Sequence, residues 1–299
     1  MRNAFFIPAV LILQTANLAA SPAPLQGFEP LRTASGWARA DKDGSCIFYD
    51  ATSRTLNTWM KDLGITGSLD LSKLEIAPEK WVLDPYGNAW VISGPMLYRV
   101  DKNGKPGTTV KLPGDVVDLA WDTKGFVLLY QGAETYLEKR DYIRGSLIWS
   151  TGKKPKGAEG ASPGVMSLQR MTISEDSNVL IANGNSLFIQ SFDGAKGTAL
   201  GETVLTLRGG TPPSLVLGGK ERGALAWWLG HGVAFAAVPA SQVPSERKSG
   251  LLLAHMDLAA GTVEFLPTGV SEDHKLLGIL ESEALLAKPG GGLVLVPVR

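Results

Sequence analysis

Residues Trp81 to Lys105, WVLDPYGNAWVISGPMLYRVDKNGK, read as two successive antiparallel hairpins with almost nothing left over. Trp81-Val82-Leu83 is a short apolar strand cut off by Asp84-Pro85-Tyr86-Gly87-Asn88. There proline fixes φ at one turn position and glycine supplies positive φ at a later one, so the chain reverses. Ala89-Trp90-Val91-Ile92 resumes as a strand of aromatic and β-branched residues. Ser93-Gly94-Pro95 turns the chain again, Leu97-Tyr98-Arg99-Val100 alternates as a half-buried outer strand does, and Asp101-Lys102-Asn103-Gly104 closes the second hairpin. Four such strands fit in about forty residues.

The same unit recurs on both sides of this stretch. Before it come the strand Trp37 to Ala40, a turn at Asp41 to Gly44, and strands Ser45 to Tyr49 and Thr55 to Trp59, followed by a less regular span, residues 60–76, expected to hold a short helical turn. After it come Val116 to Trp121, Phe126 to Tyr130, Tyr136 to Arg140 and Ser146 to Trp149, then a loop rich in lysine, glycine and proline over Gly152 to Gly164. Met171 to Ile173, Val179 to Ala182 and Ser186 to Ser191 give a fourth unit, closed by a turn at Asp193 to Gly197. A fifth begins near Ser214, with strands Ala224 to Leu229 and Val233 to Val238, a polar insertion from Pro239 to Gly250, and the strand Leu251 to Met256. Lys275 to Leu280, Ala284 to Ala287 and Leu293 to Val296 form the last.

The turn residues Gly44, Gly87, Gly125, Asn178 and Gly223 mark the first hairpin of successive units at intervals of about 40 to 50 residues. A sheet this small cannot bury both of its faces alone, so neighbouring sheets must cover them, which is the logic of a propeller. The expectation is an all-β chain, a single β-propeller over residues 36–299 with six blades, five or seven remaining open. Pairing of Leu293 to Val296 with the first blade would hide an edge. Composition agrees: Gly 35 and Pro 18 supply turns, charged residues are only 19%, and Trp 8 supplies bulky wedges between sheets.

The run Leu83 to Trp90, followed by Leu97 to Gly104, resembles the repeat of NHL-type and streptogramin-lyase-like propellers. That resemblance implies the fold. It does not assign the catalytic histidine of the lyases, or the acidic and asparagine metal ligands of gluconolactonase-like relatives, to residues of this sequence.

At the N-terminus, Arg2 precedes an apolar run from Ala4 to Leu13 and a small-residue exit at Leu18-Ala19-Ala20-Ser21. This is the grammar of a secretory signal peptide over residues 1–20, followed by an extended lead-in over residues 21–35. The apolar run is too short to cross about 30 Å of hydrocarbon, so no membrane span is expected and the mature chain is placed in the periplasm or outside the cell. Charge is balanced, with 29 basic and 29 acidic residues, and no basic face points to nucleic acid. Cys46 is alone, so it cannot form an internal disulfide.

Reactive residues are few. His231 sits in Trp227-Trp228-Leu229-Gly230-His231-Gly232, a cluster suited to stacking on a sugar or an aromatic ligand. The same residues also read as a blade wedge and an ordinary hairpin tip. His255 lies in a leucine-rich strand and His274 on a polar loop, read as solvated. Asp41, Asp84, Asp101, Asp122, Asp141, Asp193 and Asp257 recur at turns, where aspartate accepts backbone N–H groups. Asp118 differs, because it interrupts the apolar run Val116 to Trp121 and reads either as a binding group on an inner strand facing the central channel or as a side chain pointing outward. Trp227, Trp228, His231 and Asp118 are therefore the candidate ligand-binding residues, with no catalytic residue, metal or cofactor assigned. The expected function is a non-catalytic module that binds a protein or glycan. The alternative is a hydrolase or lyase acting on a carbohydrate or lactone at one mouth of the channel.

Overall fold

The computed structural model describes residues 39–40, 45–60, 63–122, 124–132, 134–155, 169–174, 176–183, 188–207, 225–226, 233–243, 249–280, 282–288 and 293–298. The proposed signal peptide, the lead-in and the turn Asp41 to Gly44 fall outside them.

Six sheets are present among the described residues, and they follow one another along the chain as blades I to VI. Blade I holds β1 (Arg39–Ala40), β2 (Ser45–Asp50), β3 (Thr55–Met60) and β4 (Gly64–Asp70). Blade II holds β5 (Lys80–Leu83), β6 (Ala89–Ser93), β7 (Met96–Val100) and β8 (Pro106–Lys111). Blade III holds β9 (Val116–Trp121), β10 (Gly125–Tyr130), β11 (Tyr136–Asp141) and β12 (Leu147–Gly152). Blade IV holds β13 (Gln169–Ile173), β14 (Val179–Asn183), β15 (Phe188–Phe192) and β16 (Ala199–Val204). In these four sheets the strands are antiparallel and follow chain order.

Blade V departs from the plan. β17 (Thr206–Leu207) leaves blade IV and pairs parallel with β21 (Thr262–Pro267), outside the meander of β18 (Leu225–Ala226), β19 (Val233–Pro239), β20 (Leu251–Asp257) and β21. A short 3-10 turn, Ala240–Gln242, occupies the start of the polar insertion between β19 and β20. Blade VI has β22 (Lys275–Leu280), β23 (Glu283–Ala287) and β24 (Leu293–Pro297).

The alternation of strand side chains explains why both faces of each blade are apolar. In β2, Cys46 and Phe48 enter a cluster with Leu280, Leu285 and Leu293 of blade VI, while Ile47 and Tyr49 enter one with Trp81, Ala89 and Val91 of blade II. In β10, Phe126, Leu128 and Tyr130 face blade II, and Val127 and Leu129 face blade IV. Blades IV and V share a further cluster, as do blades V and VI. Each blade thus shares a core with the next, and the last with the first. β22 lies beside β1, so packing of blade VI on blade I closes the ring. β24 pairs with β23; the expected pairing of Leu293 to Val296 with the first blade is not what joins the ends.

The span over residues 60–76 contains the strand β4, where a helical turn was expected. Its sequence, GITGSLD, is mostly exposed, so burial has imprinted no apolar alternation on it.

One device recurs between blades. Trp90 of blade II donates its Nε1–H to the Tyr142 carbonyl of blade III at 3.0 Å, and Trp149 of blade III donates to the Gly194 carbonyl of blade IV at 3.1 Å. Each indole also lies on a turn glycine: a Cβ on Gly145 would stand 2.6 Å from the Trp90 ring, and one on Gly197 2.6 Å from the Trp149 ring. Only glycine admits so close an approach, and φ of +66° and +72° at these positions favours it independently.

Candidate functional site

Asp118, the third residue of β9, is 4% exposed. Its Oδ1 accepts the backbone N–H of Leu119 at 2.9 Å, and its Oδ2 accepts that of Met171, in β13 of the next blade, at 2.8 Å. The first strands of blades III and IV pack together here, and the carboxylate bridges them.

Residues 227–232, with Trp227, Trp228 and His231, lie outside the described residues. The strands flanking them, β18 and β19, are antiparallel, with Ala226 opposite Phe235. Of the four candidate residues, Asp118 is the one that lies within the described residues.

The other two histidines are placed. His255, on β20, stacks on Phe235 with ring centroids 5.0 Å apart and 13° between planes, and its Nδ1 lies 3.2 Å from Glu264 Oε1. His274 is buried, contrary to the solvated reading, because the turn folds its ring inward. Its Nδ1 lies 3.1 Å from Ser271 Oγ and 3.2 Å from Asp273 Oδ1, and Ser271 Oγ also donates to Asp273 Oδ1. A serine, histidine and aspartate relay needs the serine on one ring nitrogen and the acid on the other. Sharing Nδ1, these three brace a turn. Across from it, Ser241 N–H and Oγ–H donate to the Glu272 carboxylate at 3.0 and 2.9 Å.

The densest buried polar cluster was not anticipated from sequence. In β11, Glu138, Lys139 and Arg140 are all buried. Tyr130 and Tyr136 donate to the two oxygens of Glu138 at 2.7 and 3.0 Å, and Arg140 adds Nε and Nη2 contacts to Glu138 at 3.0 and 2.6 Å. Arg140 Nη1 donates to the Gly145 carbonyl at 2.8 Å. On the opposite face Lys139 Nζ reaches Asp122 Oδ2 at 2.7 Å and the Gly194 carbonyl at 2.8 Å. Burial, reinforced by the Glu138 charge, pushes the Tyr130 hydroxyl well above its ordinary pKa, so it stays protonated and donating. The signal available in the sequence was three adjacent charges in a strand whose hairpin partner, like itself, carries a tyrosine.

Burial likewise pushes the Cys46 thiol up to about 12, which removes the thiolate needed of a nucleophile. Among the described residues no group of three or more His, Cys, Asp or Glu could hold a metal ion.

Six of the seven turn aspartates lie within the described residues and behave as read. Asp84, Asp101, Asp122, Asp141, Asp193 and Asp257 each accept at least two backbone N–H groups of their own turn.

A groove of about 540 Å³ lies between blades IV and V. Its lining includes buried Leu180 and Ile189, exposed Asp176 and Glu202, and Gly201, Leu258 and Ala259.

Small antiparallel sheets, each coring against the next and closing last to first, define a β-propeller. Solved structures share it. The chain matches virginiamycin B lyase from Staphylococcus aureus with a TM-score of 0.52 and 12% identity over 88% of this chain and 80% of that one. A protein described as exported, from Bacteroides fragilis, matches with a TM-score of 0.54 and 11% identity over 93% and 94% of the two chains. The Pan2 WD40 domain of Neurospora crassa matches with a TM-score of 0.50 and 9% identity over 88% and 75%. At such identities the likeness is one of fold. No protein-family profile and no curated sequence matches the chain. Among the described residues no helix is long and apolar enough to cross a membrane.

Proposed function

We propose that this chain is an exported, six-bladed propeller that works in the periplasm or outside the cell as a non-catalytic binding module for a protein or glycan partner. The observation that carries the reading is the distribution of exposed apolar side chains. Of the eight large apolar residues exposed among those described, five, Ile143, Leu147, Ile148, Leu200 and Val204, belong to the last turn and outer strands of the adjacent blades III and IV. Exposed apolar side chains on the outer strands of neighbouring blades support contact with a partner. The six shared cores support the blade count, and the sequence of residues 1–20 supports export. Trp227, Trp228, His231 and Asp118 remain the proposed ligand-contacting set.

The test is retention from an envelope extract on the immobilised chain, with Leu147→Asp/Leu200→Asp as the comparison. A protein or glycan held by the wild type and lost by the variant is expected. Retention of nothing, together with turnover of a carbohydrate or lactone panel that His231→Ala abolishes, would instead establish the hydrolase or lyase reading, which the Trp227 to Gly232 sequence supports.

A further inference from the structure

Three turns of this chain are built to one plan. Asp141 to Gly145, Asp193 to Gly197 and Asp257 to Gly261 each join the third strand of a blade to its fourth. In each, the aspartate Oδ1 accepts the backbone N–H groups two and three residues on. Each ends on a glycine, with φ of +66°, +72° and +64°.

The first two turns receive an indole from the preceding blade. In both, the indole N–H goes to the carbonyl of the residue after the aspartate, Tyr142 for Trp90 and Gly194 for Trp149, and the ring lies on the closing glycine. The third turn offers the same two features, the Leu258 carbonyl and Gly261. The blade before it does not supply the ring. Asp141 and Gly145 stand to Trp149 in sequence as Asp193 and Gly197 stand to Gly201, so in blade IV glycine occupies the fourth-strand place of Trp149, and Leu180 occupies the second-strand place of Trp90. A Cβ on Gly201 would meet nothing within 4 Å, and one on Gly261 would meet only the Val204 carbonyl, at 3.7 Å. The groove of about 540 Å³ lies at this place, lined by Gly201 and Leu258.

We propose that this groove binds a tryptophan side chain of a basic peptide segment in a partner protein. The indole takes the space that a side chain at position 201 would fill, against Leu258 and Ala259, and its N–H donates to the Leu258 carbonyl as those of Trp90 and Trp149 do to theirs within the chain. Asp176 and Glu202 line the groove and no basic residue among those described does, so a lysine or arginine flanking the tryptophan finds complementary charge. Aromatic anchors seated in pockets dominate the energetics of such contacts. The inference deepens the binding-module reading and rests on it.

The experiment titrates the full chain with an end-blocked Lys-Trp-Lys peptide carrying 5-fluorotryptophan, observed by fluorine NMR so that the chain's own tryptophans are silent. A saturable shift is expected from the wild type. Asp176→Lys/Glu202→Lys, two exposed substitutions, is expected to weaken binding at least tenfold. Gly201→Trp fills the groove from within and is expected to abolish it; because φ at Gly201 is +152°, its folding is checked first and the charge-reversed variant carries the test if it fails. No saturable shift, or equal binding by wild type and charge-reversed variant, overturns the proposal. If the peptide is silent while an extract partner is still retained, this groove is wrong and the module reading stands; silence in both overturns both.

Discussion

Asp118 of blade III accepts the backbone N–H of Met171 in blade IV at 2.8 Å, across 53 residues of sequence. Met171 is buried, so its N–H has no solvent to turn to if the carboxylate is removed. Asp118→Ala is expected to destabilise the fold by about 1–3 kcal/mol, and Asp118→Asn, which keeps an acceptor, by less. Urea denaturation midpoints at pH 7 measure this.

The Glu138 and Arg140 pair invites a sharper test. Arg140→Met leaves a buried carboxylate with only two tyrosine hydroxyls for support, and the expected loss is about 3–5 kcal/mol. Replacing both members, Glu138→Leu with Arg140→Met, removes the uncompensated charge and is expected to recover part of that loss. A double-mutant cycle on denaturation free energies checks it.

Gly197→Ala and Gly261→Ala make a matched pair. Both glycines are left-handed, so both substitutions carry a conformational cost of about 1–2 kcal/mol. Only Gly197 is covered by an indole, so its substitution is expected to be the more damaging, and the difference in melting temperature isolates the ring contact.

Cys46 provides a pH test. Its folded pKa is raised from 9.0 to about 12, so its contribution to stability is fully present below pH 9 and declines between pH 9 and about 12. At pH 8 the native thiol is expected to resist iodoacetamide and to react fully in denaturant. Rapid native labelling, followed by mass spectrometry, would contradict its burial.

At the acid end, the backbone N–H groups of Lys196 and Ala195 hold the Asp193 carboxyl below its usual value of 3.8. The stabilisation is present above that value and lost as pH falls below it. Asp193→Asn, which keeps the acceptor oxygen but does not titrate, is expected to show a shallower fall in urea midpoint from pH 5 to pH 2.

What could be read from the sequence follows what burial imprints. β2, β6 and β10 are covered on both faces, and their near-continuous apolar runs were legible. β4 and β16 are the exposed outer strands of their blades, and neither could be recognised because solvent on both sides leaves no period. Asp118 was conspicuous as a charge in an apolar run, but its partner on another blade was not readable from local sequence. Glu138 and Arg140 were overlooked because adjacent charges in a strand read as a wet face until Tyr130 and Tyr136 are brought alongside.

The meeting of β22 with β1 has a kinetic corollary. Every other pair of adjoining blades is contiguous in the chain, so those cores can assemble by local search, one sheet seeding the next. The Cys46 and Phe48 cluster with Leu280, Leu285 and Leu293 must instead bridge nearly the whole polypeptide. Because closure entropy grows only with the logarithm of loop length, this seam costs about 1–2 kcal/mol more to close than one between blades adjacent in sequence, and until it seals the sheets form an open arc.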